Sequence, residues 1–218
     1  MNRSQNNVAR SLRSSTSKPG PVILNVIPLR QMSFNTSESF PFGDVSLSCV
    51  SSPELTGGLN VKRVTCSPPI PEGMSVDSVD AYVVTSTSPL AIHNFSFDLI
   101  FHNGESKGGR ESGEHLDAQS WQIGDGLLMI GTEDGDVLQN RMPWISTDGN
   151  EYPIEYLSNG FRLSFSYIPP NARVEFHFVL AYNRIECENQ SEWFAVDIPR
   201  IKLNEFPIVR QIVGANAG

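Results

Sequence analysis

The stretch Gly104-Glu105-Ser106-Lys107-Gly108 directly follows a run of alternating apolar residues and has the G-x-S-x-G spacing of a nucleophile elbow. In that device a strained strand-to-helix turn presents the serine to a carbonyl carbon. The elbow needs a helix immediately behind the serine, whereas Gly109-Arg110-Glu111-Ser112-Gly113-Glu114 continues as a polar, glycine-rich loop. An interstrand connection is therefore expected here, not a hydrolase. His93, His102, His115 and His177 have neither the i,i+4 spacing of a helical metal site nor a pairing with cysteines at zinc intervals. His177 falls on the outward face of its strand and is expected to meet solvent. Glu133-Asp134-Gly135-Asp136 offers carboxylates but not the alternating ligand positions of a calcium loop, so a solvated turn is expected. No glycine pattern stands in the strand-to-helix context that cradles phosphates. No catalytic residue, metal or cofactor is expected, and the chain does not read as an enzyme.

Charge placement is more informative. The chain carries a formal charge of −8, but residues 1–37 hold five Lys/Arg and no Asp or Glu, leaving eleven Lys/Arg against all 24 acids, a charge of −13, in residues 38–218. Arg3, Arg10, Arg13 and Lys18 lie in a polar leader with almost nothing apolar. Cations on such a tether neutralise phosphates and release their condensed counterions. Arginine also holds phosphate bidentately and stacks on unpaired bases. These four residues are the candidate RNA-binding set.

The elements that must position these groups are strands. Phe95, Phe97, Leu99 and Phe101 alternate with smaller or polar residues, and Phe161–Tyr167 repeats the pattern. It resumes at Val174, Phe176, Phe178, Leu180 and Tyr182 after Pro169-Pro170-Asn171, which predicts an antiparallel hairpin. Further strands are expected at Val22–Ile27, Val45–Val50, Val61–Cys66, Val79–Thr85, Gly126–Ile130 and Trp193–Ile198. Ser112–Gln122 is the one weak helical candidate. Turn chemistry separates the strands and no strand-helix-strand spacing occurs, so the fold expected is all-β: an antiparallel jelly-roll sandwich of about eight strands with flexible N-terminal and C-terminal arms. Cys49, Cys66 and Cys187 are odd in number and widely spaced, as in a reducing compartment. Met1 is followed by polar residues, so no signal peptide is expected, and no apolar run approaches a membrane span.

Leu203–Val213 follows the last expected strand, and Pro207 disfavours a central sheet position. This apolar segment either folds back on its own body or packs on another subunit.

Arg3-Ser4-Gln5-Asn6-Asn7-Val8-Ala9 resembles the RNA-binding arm of the coat proteins of alfalfa mosaic virus and the ilarviruses, in the family Bromoviridae, where an Arg-Ser-Gln-Asn-aromatic-Ala motif contacts viral RNA. Arg3 occupies the place of the key arginine, while Asn7 stands where the aromatic is usual and the customary Pro-Thr has no counterpart ahead of it. The resemblance implies a plant virus coat protein, found in the virion and the host cytoplasm. Its partners would be single-stranded RNA and other copies of itself, in dimers and a capsid shell, with no membrane. It further implies a basic disordered arm over 1–21, a jelly-roll shell domain over 22–202 and a C-terminal arm over 203–218, in which Phe206, Ile208 and Val209 contact a neighbouring subunit. A second resemblance leads to the 30K-type cell-to-cell movement proteins of plant viruses. It rests on Tyr82–Thr85, Pro89-Leu90 and Asp98, with Gln190-Ser191-Glu192-Trp193 near their last core strand. A cellular β-sandwich adaptor is the third alternative.

Overall fold

A computed structural model of the chain describes residues 32–52, 58–102, 109–112, 115–145, 152–184 and 191–213. The basic segment with Arg3, Arg10, Arg13 and Lys18, the expected strand Val22–Ile27 and the Gly104–Gly108 motif lie outside the described residues. The strands are β1 (Met32–Phe40), β2 (Gly43–Ser52), β3 (Leu59–Thr65), β4 (Ser78–Thr87), β5 (Ile92–Phe101), β6 (Arg110–Ser112), β7 (Leu116–Ile123), β8 (Gly126–Glu133), β9 (Ile154–Leu157), β10 (Gly160–Ile168), β11 (Arg173–Arg184) and β12 (Ile208–Val213). Helix α1 (Gly135–Arg141) follows β8, and helix α2 (Ser191–Val196) follows β11. A 3₁₀ turn, Lys202–Glu205, precedes β12.

The chain is an all-β antiparallel sandwich. A five-stranded sheet runs β1-β2-β5-β10-β9, and a seven-stranded sheet runs β12-β3-β4-β11-β8-β7-β6. Three antiparallel pairs are nested along the chain: β5 with β10, β4 with β11 and β3 with β12. Between the sheets, Phe95, Phe97, Phe161, Phe165, Phe176 and Phe178 interdigitate, with ring centroids from 5.3 Å for Phe97 and Phe176 to 6.5 Å for Phe165 and Phe176. Each such pair adds about 0.5–1.5 kcal/mol to the area it buries. The start of β10 passes tight against β5: a Cβ on Gly160 would run into the Leu99 carbonyl oxygen, so only glycine fits there.

The seven-stranded sheet has a second buried face. Val79, Ala81 and Val83 of β4, Met129 of β8 and Val179 and Ala181 of β11 pack beneath Ala195 and Val196 of α2, Ile198 and Leu203. Three departures from the sequence expectations occur in this sheet, and the cover explains the first two. Trp193–Ile198 is not a strand: residues 191–196 form α2, whose buried residues Ser191, Glu192, Ala195 and Val196 recur at helical spacing, a period too short-lived to see in six residues. Gly131 makes room for it, since a Cβ there would sit 2.9 Å from the Cβ of Val196. His177 does lie on the face of β11 opposite the sandwich core, but this face is covered, and the residue is 1% exposed. The described residues of Ser112–Gln122 are not helical. Residues 116–122 belong to β7, whose period is masked because Asp117 and Gln119 share a face with Trp121. Asp117 accepts from the Tyr152 and Tyr156 hydroxyls, and Gln119 Nε2 donates to the Leu157 carbonyl, while Gln119 Oε1 is buried with no hydrogen-bond partner among the described residues.

The C-terminal segment folds back on its own body. Leu203 is buried and Phe206 half-buried against the outer layer, and β12 pairs antiparallel with β3 as the outermost strand of the seven-stranded sheet. Within the described residues the sandwich therefore extends past residue 202, to the end of β12 at Val213.

Candidate contact edge and the buried charges behind it

β12 presents the features of a contact edge. It ends the seven-stranded sheet, so one row of its backbone N–H and C=O groups has no neighbouring strand among the described residues. Ile208 and Val209 are 53% and 56% exposed, while Ile212 is buried against β3. The pairing slips between Ile208 and Arg210, a bulge that turns the first residues of the strand outward. Of the three expected contact residues, Ile208 and Val209 thus stand together on the surface, and Phe206 packs partly inward.

The edge is held by a carboxylate that bridges the sheets. Glu38 of β1 points into the margin of the sandwich and accepts from Tyr82 Oη of β4 at 3.0 Å, Arg63 Nη1 of β3 at 3.0 Å and Arg210 Nη1 of β12 at 3.0 Å. Arg63 also donates through Nε to Asp80 at 3.1 Å, and its guanidinium lies 4.2 Å from the centre of the Phe40 ring. Burial opposes charge on Arg63, but Asp80 and Glu38 outweigh it and raise its pKa. For Tyr82, burial first and Glu38 second push the phenol pKa well above its usual range, so it stays a donor. These charges are compensated and locked. Sequence alone missed the set because Glu38, Arg63 and Arg210 are far apart along the chain and only the sheet margin unites them.

A second buried network fastens the segment that leads to β12. Glu133, at the end of β8, accepts from Arg141 of α1 through both carboxylate oxygens, with Arg141 Nη1 2.7 Å from Oε2. His177 Nδ1 stands 3.3 Å from the same oxygen, within reach of its charge but off a hydrogen-bond axis. Arg141 also donates to the Glu175 carbonyl at 3.3 Å. Arg200 meets the Glu175 carboxylate at 2.7 Å and donates to Asn204 Oδ1 at 3.2 Å. Burial would raise the pKa of Glu133, but His177 and then Arg141 overcome it and hold the carboxyl at about 2. Burial lowers that of Arg200, offset in part by Glu175. The expected solvated turn at 133–136 is instead the buried start of α1, where Asp134 caps the helix by accepting from the Val137 N–H at 2.8 Å. A shallow pocket of about 420 Å³ opens above this network. Its Arg and Glu side chains compensate one another, so it holds a layer in place without offering a net charge to a ligand.

Cys49 and Cys66 are buried free thiols, pushed up to about 12 by burial and secondarily by Asp98 and Asp80. Among the described residues no group of three His, Cys, Asp or Glu could hold a metal ion, and no helix is long and apolar enough to cross a membrane. Asp98, of the movement-protein pattern, faces outward on β5 and is bound by Arg162 of β10 at 2.8 Å through each oxygen, while Pro89-Leu90 forms the β4–β5 connection. No protein-family model matches the chain, and no curated protein matches it in sequence.

Proposed function

We propose that the chain is a viral coat protein that packages single-stranded RNA and assembles into a shell. The observation that carries this is charge placement: five Lys/Arg and no acid in residues 1–37, against a charge of −13 on the remainder. An anionic body repels a polyphosphate at every distance within a Debye length, so RNA attraction is concentrated on Arg3, Arg10, Arg13 and Lys18. Those tethers neutralise genome phosphates on the inside of the particle. The antiparallel sandwich, read as a jelly roll, tiles the shell, a reading that its three nested strand pairs support. The exposed Ile208 and Val209 on an open strand edge supply a weak self-contact that closed symmetry multiplies. Such a protein works in the virion and, before assembly, in the host cytoplasm. With so few contacts to RNA, particles are expected to be salt-labile.

The test is electron microscopy and nuclease-treated size-exclusion chromatography of the full chain beside a variant lacking residues 1–18. Closed particles that lose most of their RNA on truncation, with the β-rich circular dichroism unchanged, are expected. Unchanged RNA content in the truncated protein overturns the assignment, as does RNA coated without closed shells, which is the behaviour of a movement protein. An adaptor would do neither.

A further inference from the structure

The outer face of the five-stranded sheet holds a pocket of about 520 Å³ that the assembly role does not use. It exists because β9 stops at Ile154 while β10 runs on to Ile168, which leaves a corner beside Phe165 and Ser166. The floor consists of Asn94 and Ser96 of β5 with Ser164 and Ser166 of β10, and Arg162 and Glu155 stand at one end. Tyr152 forms the wall.

Two features make this corner a built site rather than a gap. Tyr152 is 55% exposed, yet its hydroxyl accepts from the Gly135 N–H at 2.9 Å and donates to Asp117 Oδ2 at 2.9 Å. Its ring also lies so close to Gly135 that a Cβ there would overlap it. The ring is therefore an open aromatic face held in one orientation. Asn94 is a non-glycine residue at φ 58°, placed where β5 carries one residue more than β2 between the pairs Val50↔Ser96 and Ser52↔His93. That left-handed step breaks the alternation, so His93 and Asn94 both emerge on the solvent side. The side chains of Asn94, Ser164 and Ser166 make no hydrogen bond among the described residues, which leaves amide and hydroxyl groups able both to donate and to accept.

We propose that this corner binds a neutral oligosaccharide, with one pyranose ring stacked on Tyr152 and its hydroxyls bonded to Asn94, Ser164, Ser166 and Glu155. The apolar face of a pyranose matches a fixed aromatic ring, and a flat polar floor matches a rim of hydroxyls. Preorganisation of the ring lowers the ordering cost of binding. Polyanions are disfavoured: Arg162 is already occupied by Asp98 at 2.8 Å and faces Glu155 at 3.7 Å, so the corner carries more carboxylate than guanidinium.

The experiment uses the full chain with cellotetraose, with tetra-N-acetylchitotetraose, which distinguishes the two sugar classes, and with heparin as the polyanion. Saturation-transfer NMR and calorimetry read binding to the parent, to Tyr152→Ala and to Ser166→Trp, which fills the corner from an exposed strand position. Saturable binding of a neutral tetrasaccharide at about 1 mM or tighter is expected. It should weaken about tenfold or more in both variants while their circular dichroism matches the parent. The proposal is overturned if neither neutral sugar binds, if Ser166→Trp binds as the parent does, or if heparin competes for the same resonances. None of these outcomes depends on particle formation, so failure here leaves the assembly assignment standing.

Discussion

The two sheets of this sandwich share one core and treat their other faces in opposite ways. The five-stranded sheet leaves its outer face to solvent, and its charges there, Arg162 with Asp98 and Glu155, form a partly exposed row that follows the strand register. The seven-stranded sheet is roofed by α2 and the 197–206 segment, and beneath that roof Glu133, His177 and Arg200 are buried. An ion pair in water is worth little, whereas a charge sealed from water is costly unless every partner is present. The same residue types therefore have different energetic weight on the two outer faces. The sealed face governs the stability of the body, and the open one is free to evolve contacts.

The widest gap between the faces should appear when one partner is removed from each. Arg141→Ala leaves Glu133 buried without its bidentate partner, with His177 and the more distant charge of Arg200 beside it, and a cost of about 3–5 kcal/mol in urea unfolding is expected. Glu133→Gln combined with Arg141→Leu should recover a large part of that loss, because an uncharged pair no longer leaves a stranded charge. A cost below about 1 kcal/mol for the single variant would mean that water reaches the network and that the contrast between the faces is false.

Acid separates the two faces in a second way. Glu133 is held at about 2 against an ordinary 4.5, so its folded pKa is depressed. The stabilisation from this group is complete above pH 4.5 and disappears as pH falls from 4.5 toward 2. It amounts to roughly 3 kcal/mol. Stability measured across that window should fall in the parent and be flatter in Glu133→Gln. Equal slopes in the two proteins would assign the acid limb to other carboxylates.

The contrast between the faces also explains what the sequence could disclose. Alternation over Phe95–Phe101 and Phe161–Tyr167 was plain because one side of β5 and β10 meets water, and the all-β sandwich followed from it. Beneath the roof the alternation carries no polarity: Val179 and Ala181 face the outer layer while Phe178 and Leu180 face the sandwich core, so nothing local told that His177 would be covered. Trp193–Ile198 was apolar enough for a strand and too short for its helical period to stand out, and only the space left by Gly131 decides the matter. The contact edge was legible in part. Ile208 and Val209 stood out as apolar residues beyond the expected body, but their strand's pairing with β3, and the Glu38 bridge that holds it, depend on residues remote in sequence. The candidate RNA-binding residues were legible in charge alone and lie outside the described residues.

At the margin where the sheets meet, an intermediate effect is expected. Tyr82→Phe removes one of three donors to Glu38, while Arg63 and Arg210 remain in place. A loss of about 1 kcal/mol follows, since the carboxylate keeps its charge partners. A loss approaching that of Arg141→Ala would make the margin part of the sealed interior.

The smallest effect belongs to the open face. Arg162 binds Asp98 bidentately at 2.8 Å, an arrangement that would be strong if buried, but its side chain is 40% exposed and Asp98 retains Ser96 Oγ at 3.3 Å when the arginine is removed. Water replaces the lost guanidinium, so Arg162→Ala should cost no more than about 1 kcal/mol, and less as salt is raised. Ser164→Ala, at an exposed position with no side-chain hydrogen bond among the described residues, should stay within about 0.5 kcal/mol of the parent. If Arg162→Ala instead costs several kcal/mol in urea unfolding and is insensitive to salt, this face is covered in solution as well. The natural source of such cover is a second copy of the chain, and a concentration dependence of the unfolding midpoint would identify it.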